Sequence, residues 1–175
     1  VVGPSGAGKD SLIDGARAAL AGNQNFIFPK RTITRPADAG GEAHRAVSEN
    51  TFAREAVAGE FALSWQAHGL SYGVPSSIEN NLAQGRSVIV NVSRGVLNTA
   101  RQKFGSVRVL SVRASEQTLV TRLANRARES SVDIENRIRR AASYEVSGSD
   151  VIEIFNDGAL EEAVERFTAA LQMPD

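Results

Sequence analysis

The sequence predicts an α/β domain, a parallel sheet flanked by helices, and three observations predict it. Short β-rich runs alternate with stretches of helical spacing along most of the chain. A glycine-rich stretch, GPSGAGKD, occupies residues 3–10 between an apolar pair and a helical pattern, as a phosphate loop should. The 175 residues, 42% hydrophobic and 23% charged, suffice for one ordinary globular core.

The elements follow in order. Val1 and Val2 read as the end of a strand, and residues 10–20 (DSLIDGARAAL) as the helix after the loop. Two residues are too few for a whole strand, so the N-terminal strand is expected to be longer than the sequence given. Apolar runs at 26–28 (FIF), 87–92 (SVIVNV), 107–112 (VRVLSV) and 151–155 (VIEIF) read as strands, the middle two buried. Helical spacing marks 78–84, 95–104, 118–128 and 159–171. Ser76 and Glu79 fit a capping box, and Gly85 fits a helix stop.

Two regions break the rhythm. Residues 29–74 hold turn signals, a short helix (NTFAREAVAG) and the segment FALSWQAHGLSYG. They are expected to form an inserted acceptor-binding subdomain. Residues 122–147 are arginine-rich and helical, the expected place of a mobile lid. The core then consists of 1–28, 75–121 and 148–175.

Composition excludes several classes. Without cysteine there is no disulfide framework, thiol nucleophile or cysteine metal site. No apolar run approaches the roughly 20 residues of a membrane helix, and no signal peptide is visible, so a cytoplasmic enzyme is expected. A formal net charge of zero argues against nucleic-acid or membrane partners. Seventeen of the twenty cations are Arg, and residues 94–140 carry eleven cations against four acids. Arg suits bidentate phosphate recognition. Nothing in the sequence specifies an oligomeric state.

Gly3, Gly8 and Lys9 keep the spacing of G-x-x-x-x-G-K-[ST]. Glycines let the loop Gly3, Pro4, Ser5, Gly6, Ala7 and Gly8 wrap phosphate oxygens, with every residue but Pro4 offering a backbone N–H and a helix N-terminus behind them. Lys9 should reach the β- and γ-phosphates of ATP. Asp10 stands where a hydroxyl usually holds Mg²⁺. Either Asp10 takes the metal, directly or through water, or it faces elsewhere in the first helical turn and Ser11 supplies the hydroxyl.

The loop resembles that of the guanylate kinases, G-P-S-G-x-G-K-[ST], and the likeness runs along nearly the whole chain. Their T-T-R, G-E, G-x-F and Y-G-T elements are matched by Ile33-Thr34-Arg35, Gly41-Glu42, Gly59-Glu60-Phe61 and Tyr72-Gly73-Val74. Their lid pattern is matched from Arg122 to Ile138, and their late V-x-N-D by Ile154-Phe155-Asn156-Asp157. The resemblance implies a P-loop kinase fold. It implies catalytic roles for Lys9 and for Arg126 and Arg137 of the lid, with Arg122 and Asn156 near adenine.

The departures concern the acceptor. The positions at which guanylate kinases read guanine hold Leu63, Arg31 and either Val92 or Ser93. Guanine edges without partners would be strongly rejected, whereas Arg31 adds a cation for phosphate. The phrases GPSGAGKDS, RTITRP, FALSWQAHGLSYGV and NVSR resemble the ribose 1,5-bisphosphate phosphokinases, kinases of phosphonate degradation that make 5-phosphoribosyl 1-diphosphate (PRPP). That resemblance implies Mg²⁺·ATP as phosphoryl donor and a sugar phosphate as acceptor. Arg31, Arg35, His44 and Tyr72 are the expected phosphate contacts. Glu42 either receives a ribose hydroxyl or caps a turn. Ser93 and Arg94 lie at a strand's carboxyl edge, where α/β sheets bind ligands. Trp65, an isolated tryptophan, reads more readily as core than as site. The alternatives are a guanylate kinase and, in another class, a guanylate-kinase-like interaction module without catalysis.

Overall fold

The computed structural model describes residues 1–39, 42–124 and 145–174. Two compact units emerge, Val1–Ala19 with Ser106–Asp175, and Leu20–Gly105.

In the first unit, Val2 is fully buried and pairs in parallel with Ser111 of a central strand. The Val2 amide donates to Leu110 O at 3.0 Å, and Val112 donates back to Val2 O at 2.8 Å. That central strand, Val109–Arg113, runs parallel to the last strand, Val151–Phe155. Its buried Val109, Leu110, Ser111 and Val112 explain why the sequence reads as a near-continuous apolar run. Three helices are described in this unit: Lys9–Ala19, Glu116–Ala124 and Leu160–Gln172. Phe167 of the last helix is fully buried, as is Leu12 of the first. Gly15 permits the close approach of these two helices. A Cβ there would lie 2.4 Å from Val164 Cγ2.

The second unit has two sheets. Phe26–Ile27 (β1) and Ser87–Val88 (β6) form a short parallel pair. The other sheet has the order β3-β2-β5-β4, with Thr32–Ile33 (β2), Arg45–Ala46 (β3), Phe61–Ala67 (β4) and Leu70–Pro75 (β5). In chain order the central and last strands of the first unit are β7 and β8. Among the described residues the α-helices are Lys9–Ala19 (α1), Glu49–Val57 (α2), Ile78–Ala83 (α3), Leu97–Lys103 (α4), Glu116–Ala124 (α5) and Leu160–Gln172 (α6).

Some expected elements take a different form. The run 87–92 forms a two-residue strand, extended by one bond from the Ile89 amide to Ile27 O. The next rung would need an N–H from Pro29, which has none. The Ser76–Glu79 capping box does not form: the N-cap is Ser77, whose helical φ and ψ of −56° and −16° leave its hydroxyl without a capping bond. The Glu79 carboxylate instead pairs with Lys103 Nζ at 2.8 Å. Gly85 does follow the end of α3 with φ +72°.

FALSWQAHGLSYG is a hairpin. Ala67 pairs with Leu70 across His68 and Gly69, whose φ values of 53° and 73° fit a type I′ turn. Lid positions 125–144, including Arg126 and Arg137, lie outside the described residues.

Candidate active site

The phosphate loop begins where Val2 leaves the parallel sheet, so the loop sits at the sheet's carboxyl edge. Gly3 has φ +153°, and a Cβ there would come within 2.4 Å of Val112 O. Gly6 and Gly8 have φ +90° and +89°, a region that side chains disfavour. The turn closes with Ala7 N donating to Pro4 O at 3.3 Å, and α1 continues with Leu12 N on Gly8 O at 3.1 Å.

Lys9 folds back over the loop. Its Nζ donates to Gly3 O at 2.8 Å and to Pro4 O at 3.0 Å. The ammonium is thereby held on the loop whose backbone amides would bind phosphate. Pro4 and Lys9 are half-buried, while Ser5 is exposed at the loop's crest. Asp10 is half-buried in the first turn of α1, and Ser11 is exposed beside it.

The loop is braced from the end of β8. Asn156 is 1% exposed, and its Nδ2 donates to Ala7 O at 2.8 Å. Its own amide donates to Arg113 O at 2.8 Å, fixing it to the end of β7. A Cβ on Gly8 would lie 2.3 Å from Asn156 Nδ2, so loop and brace are in direct packing contact. Arg122 reaches the same carbonyl from α5, with Nη1 3.5 Å from Ala7 O.

Asp157 accepts from Ser115 N at 2.6 Å and so joins the turns after β7 and β8. Burial works to raise its carboxyl, but hydrogen bonds from the Ser115 amide and the Thr118 and Ser115 hydroxyls outweigh it. With the nearby Arg122 charge they hold the carboxyl below the usual carboxylate value.

The second unit gathers five expected acceptor residues around β2 and β5. Arg31, immediately before β2, is 9% exposed. Its Nε donates to Glu42 Oε2 at 3.2 Å, and its Nη2 pairs with Glu42 Oε1 in the same fork. Its Cζ lies 5.2 Å from the Tyr72 ring centre and 5.6 Å from that of Trp65. The two rings are a cross-strand pair of β4 and β5, stacked 5.3 Å apart and 5° from parallel.

Arg35 approaches His44 Nδ1 through Nη2 at 3.2 Å, while His44 Nε2 lies 3.0 Å from Arg35 O. An imidazole carrying its proton on Nε2 makes both bonds, donating to the carbonyl and accepting from the guanidinium. Nδ1 also lies 3.0 Å from Glu42 O. Among the described residues the buried Arg35 Nε has no hydrogen-bond partner.

Ser93 and Arg94 play a more local part. The Ser93 hydroxyl accepts from Gly95 N at 3.4 Å and caps a 3-10 turn, Arg94–Val96, which leads into α4. Arg94 is exposed on that turn. Trp65 is the residue whose place the sequence left open. Its partner Tyr72 depends on the hairpin register.

The donor set fits a magnesium ion borne by a nucleotide. Among the described residues no three carboxylates or imidazoles cluster to form a protein-only cage. Asp10 and Ser11 offer one or two oxygens, which matches the way Mg²⁺ is shared between protein, phosphates and water. Among the described residues, no helix is long and apolar enough to cross a membrane.

Comparison with known proteins agrees with this arrangement. The guanylate kinase family model matches residues 1–173. A ribose 1,5-bisphosphate phosphokinase of Agrobacterium fabrum is 44% identical over 98% of this chain and 94% of its own length. The corresponding protein of Brucella melitensis is 44% identical over 95% of this chain and 87% of its own. A bifunctional ribose 1,5-bisphosphokinase-thymidine phosphorylase of Cupriavidus pinatubonensis is 45% identical over 98% of this chain, which spans only 28% of that protein. The crystal structure of guanylate kinase from Anaplasma phagocytophilum superposes with a TM-score of 0.69 at 20% identity, covering 98% of this chain and 82% of that one. That last likeness concerns the fold.

Proposed function

This chain belongs to the guanylate kinase family, and from that premise we propose that it transfers the γ-phosphoryl of Mg²⁺·ATP to the 1-phosphate of ribose 1,5-bisphosphate, giving ADP and PRPP. The observation that carries the acceptor is the nature of the three guanine-reading positions. Leu63 and Val92 are 5% and 7% exposed, apolar and built into the core. Ser93 spends its hydroxyl on a turn, and Arg31 puts a cation where a base-reading hydroxyl would stand. Leu63 and Val92 offer a guanine no hydrogen bond, and no carboxylate is left there to receive its N–H groups, whereas a phosphate finds Arg31, Arg35, His44 and Tyr72 around one sheet. The 44% identity to ribose 1,5-bisphosphate phosphokinases along most of both chains supports the same choice.

The chemistry asks little of the protein beyond position and charge. The acceptor oxygen belongs to a phosphate that is already ionised near neutral pH, so no general base is needed. The N–H groups of the loop at residues 3 and 5–8 bind the donor phosphates, and Lys9 shares its ammonium between loop carbonyls and the β/γ-oxygens. Asp10, with Ser11 beside it, would hold Mg²⁺, which neutralises phosphate charge when bound. Arg126 and Arg137 would stabilise charge on the moving phosphoryl group from the lid. Arg122 and Asn156 act near the loop, and Arg94 meets the acceptor from the turn before α4. The cytoplasm, where ATP is supplied, is the compartment this activity suits.

A coupled ADP-release assay with ribose 1,5-bisphosphate and GMP as rival acceptors tests the reading. Faster turnover with GMP would replace it with a guanylate kinase.

A further inference from the structure

The charge of Arg31 is answered on two sides. Glu42 takes its hydrogen-bonding edge as a two-pronged fork, in a pair whose side chains are only 10% and 19% exposed. The stacked Trp65 and Tyr72 rings lie 5.6 and 5.2 Å from its Cζ and attract the cation without offering it lone pairs in its plane. A guanidinium grips carboxylate and phosphate by the same planar fork. Glu42 therefore fills the edge that an acceptor phosphate needs.

We propose that Glu42 is an internal stand-in for the acceptor phosphate and is exchanged for it on binding, while the Trp65–Tyr72 stack keeps Arg31 in position throughout. This deepens the acceptor reading above and rests on it. A carboxylate displaced from a half-buried pair loses its partner, at a considerable cost in free energy. A phosphorylated sugar recovers part of that cost, because one of its hydroxyls can donate to the released carboxylate. Inorganic phosphate offers only its own P–OH, on the group that the Arg31 fork holds, and recovers less of that cost. The exchange thus turns a general anion site into a selector for sugar phosphates. Trp65 acts through Arg31 and is a positioning residue in this step, while Tyr72 both supports Arg31 and faces the phosphate.

Trp65 is the single tryptophan of the chain, so its emission reports on the site directly. The full chain, without ATP, is titrated in separate arms with inorganic phosphate and with ribose 1,5-bisphosphate. In Glu42→Gln the competing charge is gone, and inorganic phosphate should bind about tenfold tighter. Ribose 1,5-bisphosphate should gain less, so the selectivity between the two narrows. Glu42→Asp, which keeps the charge but shortens the reach, should fall between wild type and Gln and serves where the Gln variant does not fold. Weaker phosphate binding in both variants would show that Glu42 holds Arg31 and does not compete for it. Equal tightening of both anions would reduce the effect to general charge removal. Either result overturns the exchange.

Calorimetry reads the aromatic floor. Trp65→Leu should weaken both anions, and Trp65→Phe should restore most of the loss. Unchanged affinity in Trp65→Leu would overturn the positioning role. If the coupled assay shows no turnover of ribose 1,5-bisphosphate, the proposed acceptor fails, while the inorganic phosphate arm still tests the exchange.

Discussion

The Asn156 side-chain amide donates to the carbonyl of Ala7 at 2.8 Å, joining the end of the last strand to the middle of the phosphate loop. The two residues are 149 positions apart, and the bond is buried. It fixes the peptide just before Gly8, whose left-handed backbone turns the loop into α1.

Asn156→Leu keeps the branched shape but leaves the Ala7 carbonyl only the long 3.5 Å contact from Arg122 Nη1, a loss of about 1–3 kcal/mol for a buried, poorly satisfied group. ATP affinity measured by calorimetry should fall about tenfold, in keeping with 1.4 kcal/mol per decade. The KM for the acceptor should stay unchanged. Undiminished ATP binding would show that the brace does not shape the loop.

In a typical helix interior, replacing Gly by Ala stabilises by about 1 kcal/mol. Gly15→Ala should do the opposite, because the new methyl would meet Val164 Cγ2 at 2.4 Å and Cγ1 at 2.9 Å. Overpacking of this kind costs about 1–3 kcal/mol. Denaturant unfolding should show the loss, and Val164→Ala in the same chain should recover it. Two simply additive effects would mean that α1 and α6 move apart without strain.

For Asp10 and Ser11 the measured quantity is the Mg²⁺ dependence of turnover. Asp10→Ala should lower activity and raise the Mg²⁺ concentration required, and Ser11→Ala should do less. The reverse ranking would assign the metal to the hydroxyl.

The depressed Asp157 carboxyl has a definite signature in pH. Its stabilisation is complete above the unfolded carboxylate value of about 3.9 and is lost as pH falls through the lower folded value. Asp157→Asn should therefore melt below wild type near neutral pH, and the two melting curves should converge in acid. A gap that persists at the lowest pH would mean that the neutral acid serves equally well.

Local signals were legible wherever function depends on contiguous residues. The spacing of Gly3, Gly8 and Lys9 specifies a phosphate loop because the loop's own backbone makes the site. Strand and helix alternation likewise followed from apolar periodicity, and Gly85 from its place after a helix. The run 87–92 pairs over less than its apolar length because the missing donor lies on a different segment, at Pro29. The capping box failed for a related reason. Glu79 had a better partner in Lys103, which the linear pattern does not bring near it.

The sequence by itself carried the chemical signals: a phosphate loop, Arg31 and Arg35 four apart in the acceptor region, and an arginine-rich lid. Only the tertiary structure decided the partners. Asn156 beneath Ala7, Glu42 across Arg31, and Trp65 stacked on Tyr72 all depend on strand register and chain crossing. Hydrogen bonds and stacked rings form within a few ångströms, and sequence separation carries no information about distance once the chain has turned back on itself.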